Sequence, residues 1–315
     1  MKYRLVLEIA IAMLLLVPGS QAMAAEPNPY DDMVPASSVS ASGNRCASTE
    51  EELTPSSPWW GMAEWPRQKK VVALNLAVTG ALAIYGAASW DYGSNGFDTH
   101  DEGWFGRDTR YGGADKLGHA WSAYTLASVY NRIYRDWGYS DEDAIAIGVL
   151  SSWMQTTVIE IGEAFSKSQG FSWQDEAMNT LGVGVAYLRH RFPTIRETVD
   201  FRMEWFPSPA LRHGDERDVF TDYSGQKYLL AVKPDGFLKT GDPLLKAIEF
   251  QVGYYTRGYS SGDEEYFSGQ HRYGYIGIGL NVTYLLDRLT GHRAAGVFDY
   301  YQVPYTYIST REDFN

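Results

Sequence analysis

The sequence predicts an α+β protein, in which a four-helix domain is followed by an antiparallel, tyrosine-rich β-sheet that is open or barrel-like. Apolar residues recur at helical spacing over residues 67–192. After Pro193 the pattern changes to an alternation of apolar and polar residues, which is typical of strands. Only five or six strands are predicted, fewer than the roughly eight of the smallest transmembrane barrels. We therefore expect an open sheet packed on the helices.

The N-terminus is typical of a secretory signal peptide that covers residues 1–24. Two basic residues precede an apolar stretch at residues 5–17, and Ala22 and Ala24 form an A-x-A-like cleavage site. A retained membrane anchor is the alternative, but the apolar stretch is short for a complete span. We therefore expect an exported protein.

Residues 25–58 are rich in proline, serine, asparagine and acidic side chains, which predicts a disordered lead-in. This segment contains Cys46, the only cysteine outside the signal peptide, so we expect no intrachain disulfide. Asn44 and Arg45 precede this cysteine, where a lipoprotein signal has small or apolar residues. We therefore expect no lipid anchor at Cys46.

The net charge and the aromatic content indicate which kinds of binding partner to expect. The formal net charge is −12 and the isoelectric point is about 5.0, which argues against nucleic acid. Aromatic residues make up 15% of the chain and 23 residues are tyrosine, as in proteins that meet an outer membrane or bind glycans. We expect a membrane surface and an envelope lipid or glycan as partners, in the periplasm and next to the outer membrane.

The four-helix domain, assigned to residues 59–193, has helices predicted at about residues 67–90, 115–137, 141–165 and 173–192. Two capping boxes, Ser140 with Asp143 and Ser172 with Asp175, mark the starts of the third and fourth helices. Residues 71–90 carry no charge and are long enough to span a bilayer. Their alanine, glycine and valine content also suits a tightly packed buried helix.

The antiparallel β region is assigned to residues 194–315. Strong strands are predicted at residues 248–254 and 273–284, because apolar and polar side chains alternate along most of both segments. Weaker strands are predicted at residues 200–206, 228–233 and 297–308. Each strong strand is expected to present one apolar face.

The last three helices each carry a pair of polar side chains that lie on one helical face. These pairs are Asp115 with His119, Glu160 with Glu163, and Asp175 with Asn179. Isolated ionised groups are costly to bury, so the pairs must meet each other, water, a ligand or a metal. The candidate binding residues are therefore Asp115, Lys116, His119, Glu160, Glu163, Asp175 and Asn179.

Three interpretations of these residues stay open. His119, Glu160 and Asp175 offer ligands that Zn or Mn accepts, although no HExxH motif or second nearby histidine supports a metal. Glu160, with a pKa raised by burial, could act with His119 as an acid–base pair. In a structural network, Lys116 and His119 would neutralise the carboxylates and Asn179 would fill the remaining hydrogen bonds. No cofactor is predicted.

The spacing of these residues resembles that of a known family. The shared pattern is Asp115-Lys116-x-x-His119, then Glu160, then Phe171-Ser172-x-x-Asp175-x-x-x-Asn179-x-x-Gly182. Over residues 67–192 the chain resembles the YfiM-type family of uncharacterised, predicted periplasmic lipoproteins and, more distantly, the VanZ-like membrane proteins. The resemblance implies an envelope protein without an established reaction. The chain differs in lacking a lipobox and in having Glu163 where VanZ-like sequences often have glutamine.

From these observations we expect a cell-envelope binding or structural protein of unknown ligand, with a buried polar cluster between the second, third and fourth helices. It would hold a lipid or glycan fragment between helices and sheet, or contact the membrane through its tyrosines. The alternative is a hydrolase of an envelope lipid or glycan that uses Glu160 and His119 as its acid–base pair. An inner-membrane location, with the first helix as a span, is the alternative location.

Overall fold

The computed structural model describes residues 64–215, 218–259, 262–290 and 296–315. The predicted signal peptide, the predicted lead-in and Cys46 lie outside the described residues. The helices and strands that are described belong to one compact unit, Arg67–Asn315. The α+β class is confirmed, because long helices come first and an antiparallel sheet that is not closed follows them.

Four long helices form where the apolar spacing predicts them. They are α1 (Arg67–Ser89), α2 (Ala114–Asp136), α3 (Asp141–Glu163) and α4 (Trp173–Arg191). Ser140 Oγ accepts the Asp143 N–H at 3.1 Å, and Ser172 Oγ accepts the Asp175 N–H at 3.3 Å. Each serine satisfies an N–H group that a helix start leaves without a partner, which fixes where α3 and α4 begin.

Helix α2 is the centre of the bundle. It packs against α3, α4 and the sheet, and small side chains such as Ala120, Ala123 and Ala127 line its buried surface. These small residues let the neighbouring helices approach its backbone closely. At Gly182 on α4, a Cβ atom would overlap the carbonyl oxygen of Ala120. The close packing brings polar side chains from the helix ends within reach of each other.

The sheet is a five-stranded antiparallel meander. Its strands, hydrogen-bonded in chain order, are β1 (Val199–Trp205), β2 (Gln226–Val232), β3 (Ile248–Arg257), β4 (His271–Leu280) and β5 (Tyr307–Asp313). The first four overlap predicted strands. Tyr124 of α2 packs against Phe201 of β1 with their ring centroids 5.8 Å apart, which joins the bundle to the sheet.

The strand predicted at residues 297–308 is largely wrong. This segment begins with a 3₁₀ turn, Gly296–Asp299, and only its last two residues belong to β5. Gln302 is fully buried and donates to Thr306 Oγ1 at 2.7 Å. The apparent alternation therefore comes from side chains that enter the protein interior from an irregular segment.

Six shorter helices among the described residues were not predicted. They are α5 (Pro193–Thr198), α6 (Pro209–His213), α7 (Pro234–Leu238), α8 (Pro243–Ala247), α9 (Glu264–Phe267) and α10 (Val282–Thr290), and a second 3₁₀ turn covers Tyr223–Gly225. Helix α10 shortens the strand that was predicted to run to residue 284. The Asn281 side chain accepts the Tyr284 N–H at 3.1 Å and thereby caps a helix where the alternation continues.

The two faces of the sheet differ as the alternation predicts, but much of the apolar face is exposed. Two rows of cross-strand neighbours form its exposed part: Leu230, Val252 and Ile276 in one row, and Phe250, Ile278 and Ile308 in the other. These residues are between 48% and 86% exposed. We call these six residues the outer face.

The opposite face of the sheet carries a buried network of charged side chains. Arg202 donates to Glu249 Oε1 at 2.8 Å and to Asp200 Oδ2 at 2.5 Å. Asp200 Oδ1 accepts from Arg189 of α4 at 2.7 Å and from Lys233 at 2.8 Å. Burial alone would raise the pKa of Asp200, but its three cationic neighbours, Lys233 above all, lower it to about 2. This network ties α4 to strands β1 and β3.

The Asp200 network predicts an acid-sensitive part of the stability. Because the pKa of Asp200 is lower in the folded protein than the roughly 3.9 of an unfolded aspartate, its contribution is complete above about pH 4 and is lost toward pH 2. Asp200→Asn should remove this pH dependence. It should also lower the free energy of unfolding at pH 7 by about 3–5 kcal/mol, because buried cations lose a partner. Urea unfolding between pH 2 and 7 tests both effects. If Asp200→Asn is as stable as the wild type at pH 7, the stabilising role of the network is contradicted.

Candidate functional site

The polar residues that the sequence singles out lie at three helix ends. They occupy the first two turns of α2 (Asp115, Lys116, His119), the last turn of α3 (Glu160, Glu163) and the first two turns of α4 (Asp175, Asn179). The unpaired N–H groups at the starts of α2 and α4 carry partial positive charge, which favours the acids there. Together with Glu102, we call these residues the polar cluster.

Lys116 holds one half of the polar cluster together. Its Nζ lies 2.8 Å from Asp115 Oδ2, 2.8 Å from Asp175 Oδ1 and 2.6 Å from Glu102 Oε2. The Lys116 side chain is 1% exposed, so its three N–H donors face three carboxylates inside the protein. Burial lowers the pKa of Lys116, but the carboxylates raise it beyond its usual range. Lys116 therefore stays charged and links α2, α4 and the segment before α2.

His119 connects the carboxyl groups in the other half of the polar cluster. Its Nδ1 lies 3.2 Å from Glu160 Oε1 of α3, and its Nε2 lies 3.9 Å from Asp175 Oδ1 of α4. The His119 side chain is 19% exposed whereas Glu160 is fully buried, so the polar cluster reaches solvent at His119. Burial lowers the pKa of His119, but the neighbouring carboxylates, Asp175 above all, raise it to about 9. The carboxylates thus favour a positive charge at this position.

The acids of the polar cluster differ in their pKa values. Burial raises the pKa of Glu160 well above its usual range, and His119 only partly offsets this effect. Burial also raises the pKa of Glu163 and of Glu102, each to about 7. For Asp175, burial raises the pKa but the two cationic neighbours lower it further, so the net shift is downward. Protonated and ionised carboxyl groups side by side are a common feature of acid–base sites.

The structure brings six of the seven candidate residues into direct contact. Asn179 completes the set, because its Nδ2 donates to Glu160 Oε1 at 3.5 Å. Glu163 acts through its charge, which helps to raise the pKa of His119. Asp175 forms half of its predicted capping box through its N–H, while its carboxylate turns inward to Lys116 and His119.

Two residues of this region were not predicted, Glu102 and Arg110. Both lie in the segment between α1 and α2, and Arg110 Nη1 is 3.7 Å from Glu102 Oε1. The segment has no periodicity that would show which of its side chains turn inward. Its acidic and glycine content was the available signal. A surface cavity of about 370 Å³ lies beside Glu102 and Arg110.

Some oxygen atoms of the polar cluster have no hydrogen-bond partner among the residues that the structure describes. They include Glu160 Oε2, Asn179 Oδ1 and Asp115 Oδ1, all in buried residues. An unsatisfied buried oxygen costs roughly 1–3 kcal/mol. These atoms therefore favour a hydrogen-bond donor or a cation at this position.

Comparison with known proteins gives one family match. Residues 101–191 match the family described as predicted periplasmic lipoprotein (DUF2279), and this range contains the whole polar cluster. The resemblance to that uncharacterised family is confirmed, which supports an exported, periplasmic protein. The more distant VanZ-like similarity stays a prediction. No curated protein and no solved structure matches the chain.

Replacing Lys116 with methionine should destabilise the protein by about 3–5 kcal/mol, because three carboxylates lose their shared cation. Glu102→Gln alone should cost less. In the Lys116→Met background, Glu102→Gln should instead restore stability, because it removes one of the carboxylates that now repel each other. Chemical unfolding of both single variants and the double variant measures whether the effect of Glu102→Gln on the free energy of unfolding changes sign in the Lys116→Met background.

The control for this experiment is Arg132→Met, which breaks an exposed ion pair with Asp136 on the same helix. It should change the free energy of unfolding by less than about 1 kcal/mol. Simple additivity of Lys116→Met and Glu102→Gln would contradict the role of Lys116 as a shared cation.

Proposed function

Because residues 101–191 match the family of predicted periplasmic lipoproteins, we propose an envelope protein that lies against a membrane and binds a polar ligand at its buried cluster. The membrane we propose is the outer membrane. One observation carries the proposal: the fold exposes apolar side chains on both the sheet and the helices while it buries polar ones.

The outer face is one connected apolar surface. Val252 of β3 is paired with Leu230 and Ile276, and Phe250 lies two residues away on the same side of the sheet. Directly opposed side chains in antiparallel strands are about 5 Å apart, and diagonal neighbours in adjacent rows are about 7–8 Å apart, which is within reach of long side chains. The two rows therefore form one surface. Soluble monomers rarely leave a large contiguous apolar patch in water. The outer face is therefore best explained as an interaction surface.

Helix α1 also exposes apolar side chains to solvent and turns a polar side chain toward the protein. Val72, Leu76 and Ile84 are 56–74% exposed, whereas Asn75 faces the protein and donates to Ser151 Oγ of α3 at 3.1 Å. Helices α1 and α3 are long and apolar enough to cross a membrane, judged by length and composition alone. Polar side chains inside and apolar side chains outside suit a surface that meets lipid.

Lipid suits these surfaces better than a protein partner does. The exposed apolar residues are spread over the sheet and the helices rather than gathered in one groove. Arg67, Lys69 and Lys70 open α1, and basic residues next to an apolar helix favour anionic head groups. Many tyrosines are instead buried, among them Tyr124 and Tyr130. We therefore propose contact through aliphatic side chains rather than through tyrosines.

The polar cluster favours a ligand that brings hydrogen-bond donors or positive charge. Its oxygen atoms without a partner are hydrogen-bond acceptors, and a phosphate group would bring further acceptor oxygens rather than donors. The hydroxyl groups of a glycan, including those of a glycolipid head group, supply suitable donors. His119 is partly exposed and contacts both Glu160 and Asp175, so we propose that a ligand enters beside it.

Vesicle flotation of the mature chain tests the membrane contact. The protein should float with phosphatidylethanolamine–phosphatidylglycerol vesicles. The double substitution Ile276→Ser/Ile278→Ser should reduce binding about tenfold or more, because each half-exposed isoleucine contributes on the order of 1–2 kcal/mol in lipid. The free energy of unfolding should change little, since both side chains are exposed.

The matched control is Ile276→Val/Ile278→Val, which keeps the outer face apolar and should float like the wild type. Equal flotation of the serine and valine pairs would contradict the proposal. A stable dimer that the serine pair dissociates would also contradict it, since the outer face would then bind a second copy of the chain.

A second function, hydrolysis of an envelope lipid or glycan, is favoured by the 3.2 Å contact between His119 Nδ1 and Glu160 Oε1. A buried carboxyl group with a raised pKa, next to an imidazole that reaches solvent, is suited to exchange a proton with a bound substrate. His119 would transfer the proton at the surface, and Glu160 would hold the imidazole in place.

Glu160→Gln separates catalysis from structure. In a hydrolase the variant should keep its thermal stability and lose product release from envelope glycolipid by about a hundredfold or more. In a structural network it should mainly lower the unfolding temperature, because buried partners are left unmatched. Both quantities should be measured on one preparation, with Glu142→Gln, an exposed acid of α3, as the control. A wild-type protein that releases no product would contradict the enzyme hypothesis.

A further inference from the structure

Three side chains with metal-binding atoms converge in the polar cluster from three different helices. His119 of α2, Glu160 of α3 and Asp175 of α4 each offer one ligand atom, and these atoms all lie within 4.8 Å of one another. One imidazole and two carboxylates form a donor set that Zn²⁺ and Mn²⁺ accept. Helix bundles commonly build metal sites from side chains on facing helices.

A neighbouring group of acids has the same spacing but already holds a cation. Glu102, Asp115 and Asp175 also lie within 4.8 Å of one another. The Lys116 ammonium is 2.6–2.8 Å from each of them, so it takes the position that a metal ion would take. Glu160, in contrast, is paired with His119, which is itself a potential ligand.

Two fully buried oxygen atoms favour a cation beside Glu160. Within the described part of the chain, neither Glu160 Oε2 nor Asn179 Oδ1 has a hydrogen-bond partner. The two side chains touch, because Asn179 Nδ2 donates to Glu160 Oε1. The amide oxygen is a neutral ligand of the kind that binds hard cations, and it belongs to no acidic group. It is therefore independent support for a bound ion.

The balance of charge agrees with this position. Lys116 is paired with Glu102, Asp115 and Asp175, and Arg110 lies beside Glu102. Neither cation is paired with Glu160 among the residues that the structure describes, so an ion bound there would supply the positive charge that this carboxyl group otherwise takes from His119 alone.

We propose that His119, Glu160 and Asp175 bind one divalent transition-metal ion, Zn²⁺ or Mn²⁺, with Asn179 Oδ1 as a further ligand. His119 is partly exposed, so one side of the ion faces solvent and can take a hydroxyl group of a ligand. The site deepens the proposed role of the polar cluster in ligand binding. It does not depend on the membrane contact.

Calorimetric titration of the mature chain with ZnCl₂ and with MnCl₂, after treatment with EDTA, tests the site. One ion should bind per chain by elemental analysis, and saturating metal should raise the unfolding temperature by about 4 °C or more. His119→Ala and Glu160→Gln should each weaken binding by at least about a hundredfold.

Two controls remove similar groups outside the polar cluster. Glu142→Gln and His271→Ala should bind metal like the wild type. Asn179→Asp keeps the test valid if a ligand variant fails to fold. It adds a negative ligand, so the metal-free protein should be less stable and the metal-induced rise in unfolding temperature should be larger.

Two results would overturn the metal site. They are an absence of binding by the wild type, and equal binding by His119→Ala and the wild type. Loss of vesicle flotation with metal binding retained would count against the membrane proposal alone.

Discussion

The arrangement of the helical domain depends on the neutralisation of charge buried where α2, α3 and α4 meet. Unpaired ions there would cost several kcal/mol each. Lys116 and His119 both belong to α2, so this helix determines where the acids of its neighbours must lie. Lys116 is paired with three carboxylates, but on the Glu160 side the buried atoms Glu160 Oε2 and Asn179 Oδ1 have no hydrogen-bond donor among the described residues. We propose that these oxygens bind a cation or a hydrogen-bond donor.

The sheet and α1 show the same inversion of apolar and polar side chains. In the sheet, Asp200 and Arg202 are paired inside while the outer face is exposed. In α1, Asn75 turns inward and the aliphatic side chains turn outward. Water favours the opposite arrangement, because exposed apolar area is costly. The proposed contact with lipid would explain both parts of the molecule with one cause, and it agrees with the match to a family of predicted periplasmic lipoproteins.

The sequence predicted the four long helices because their apolar residues repeat at helical spacing, and serine caps mark the starts of α3 and α4. It indicated that the polar pairs converge because isolated buried charge is costly. Glu102 could not be predicted, since the segment before α2 has no periodicity to show which side chains turn inward. The exposure of the outer face could not be predicted either. Alternation defines two faces of a strand, but it does not reveal which face meets the protein interior.

Anomalous diffraction at the zinc edge, from crystals of the mature protein grown with zinc, tests most directly whether a metal ion binds beside Glu160 in the polar cluster. We expect one peak bounded by His119, Glu160 and Asp175, with Lys116 still among its three carboxylates. A peak between Glu102 and Asp115 with Lys116 displaced, or no peak within the polar cluster, would contradict this view.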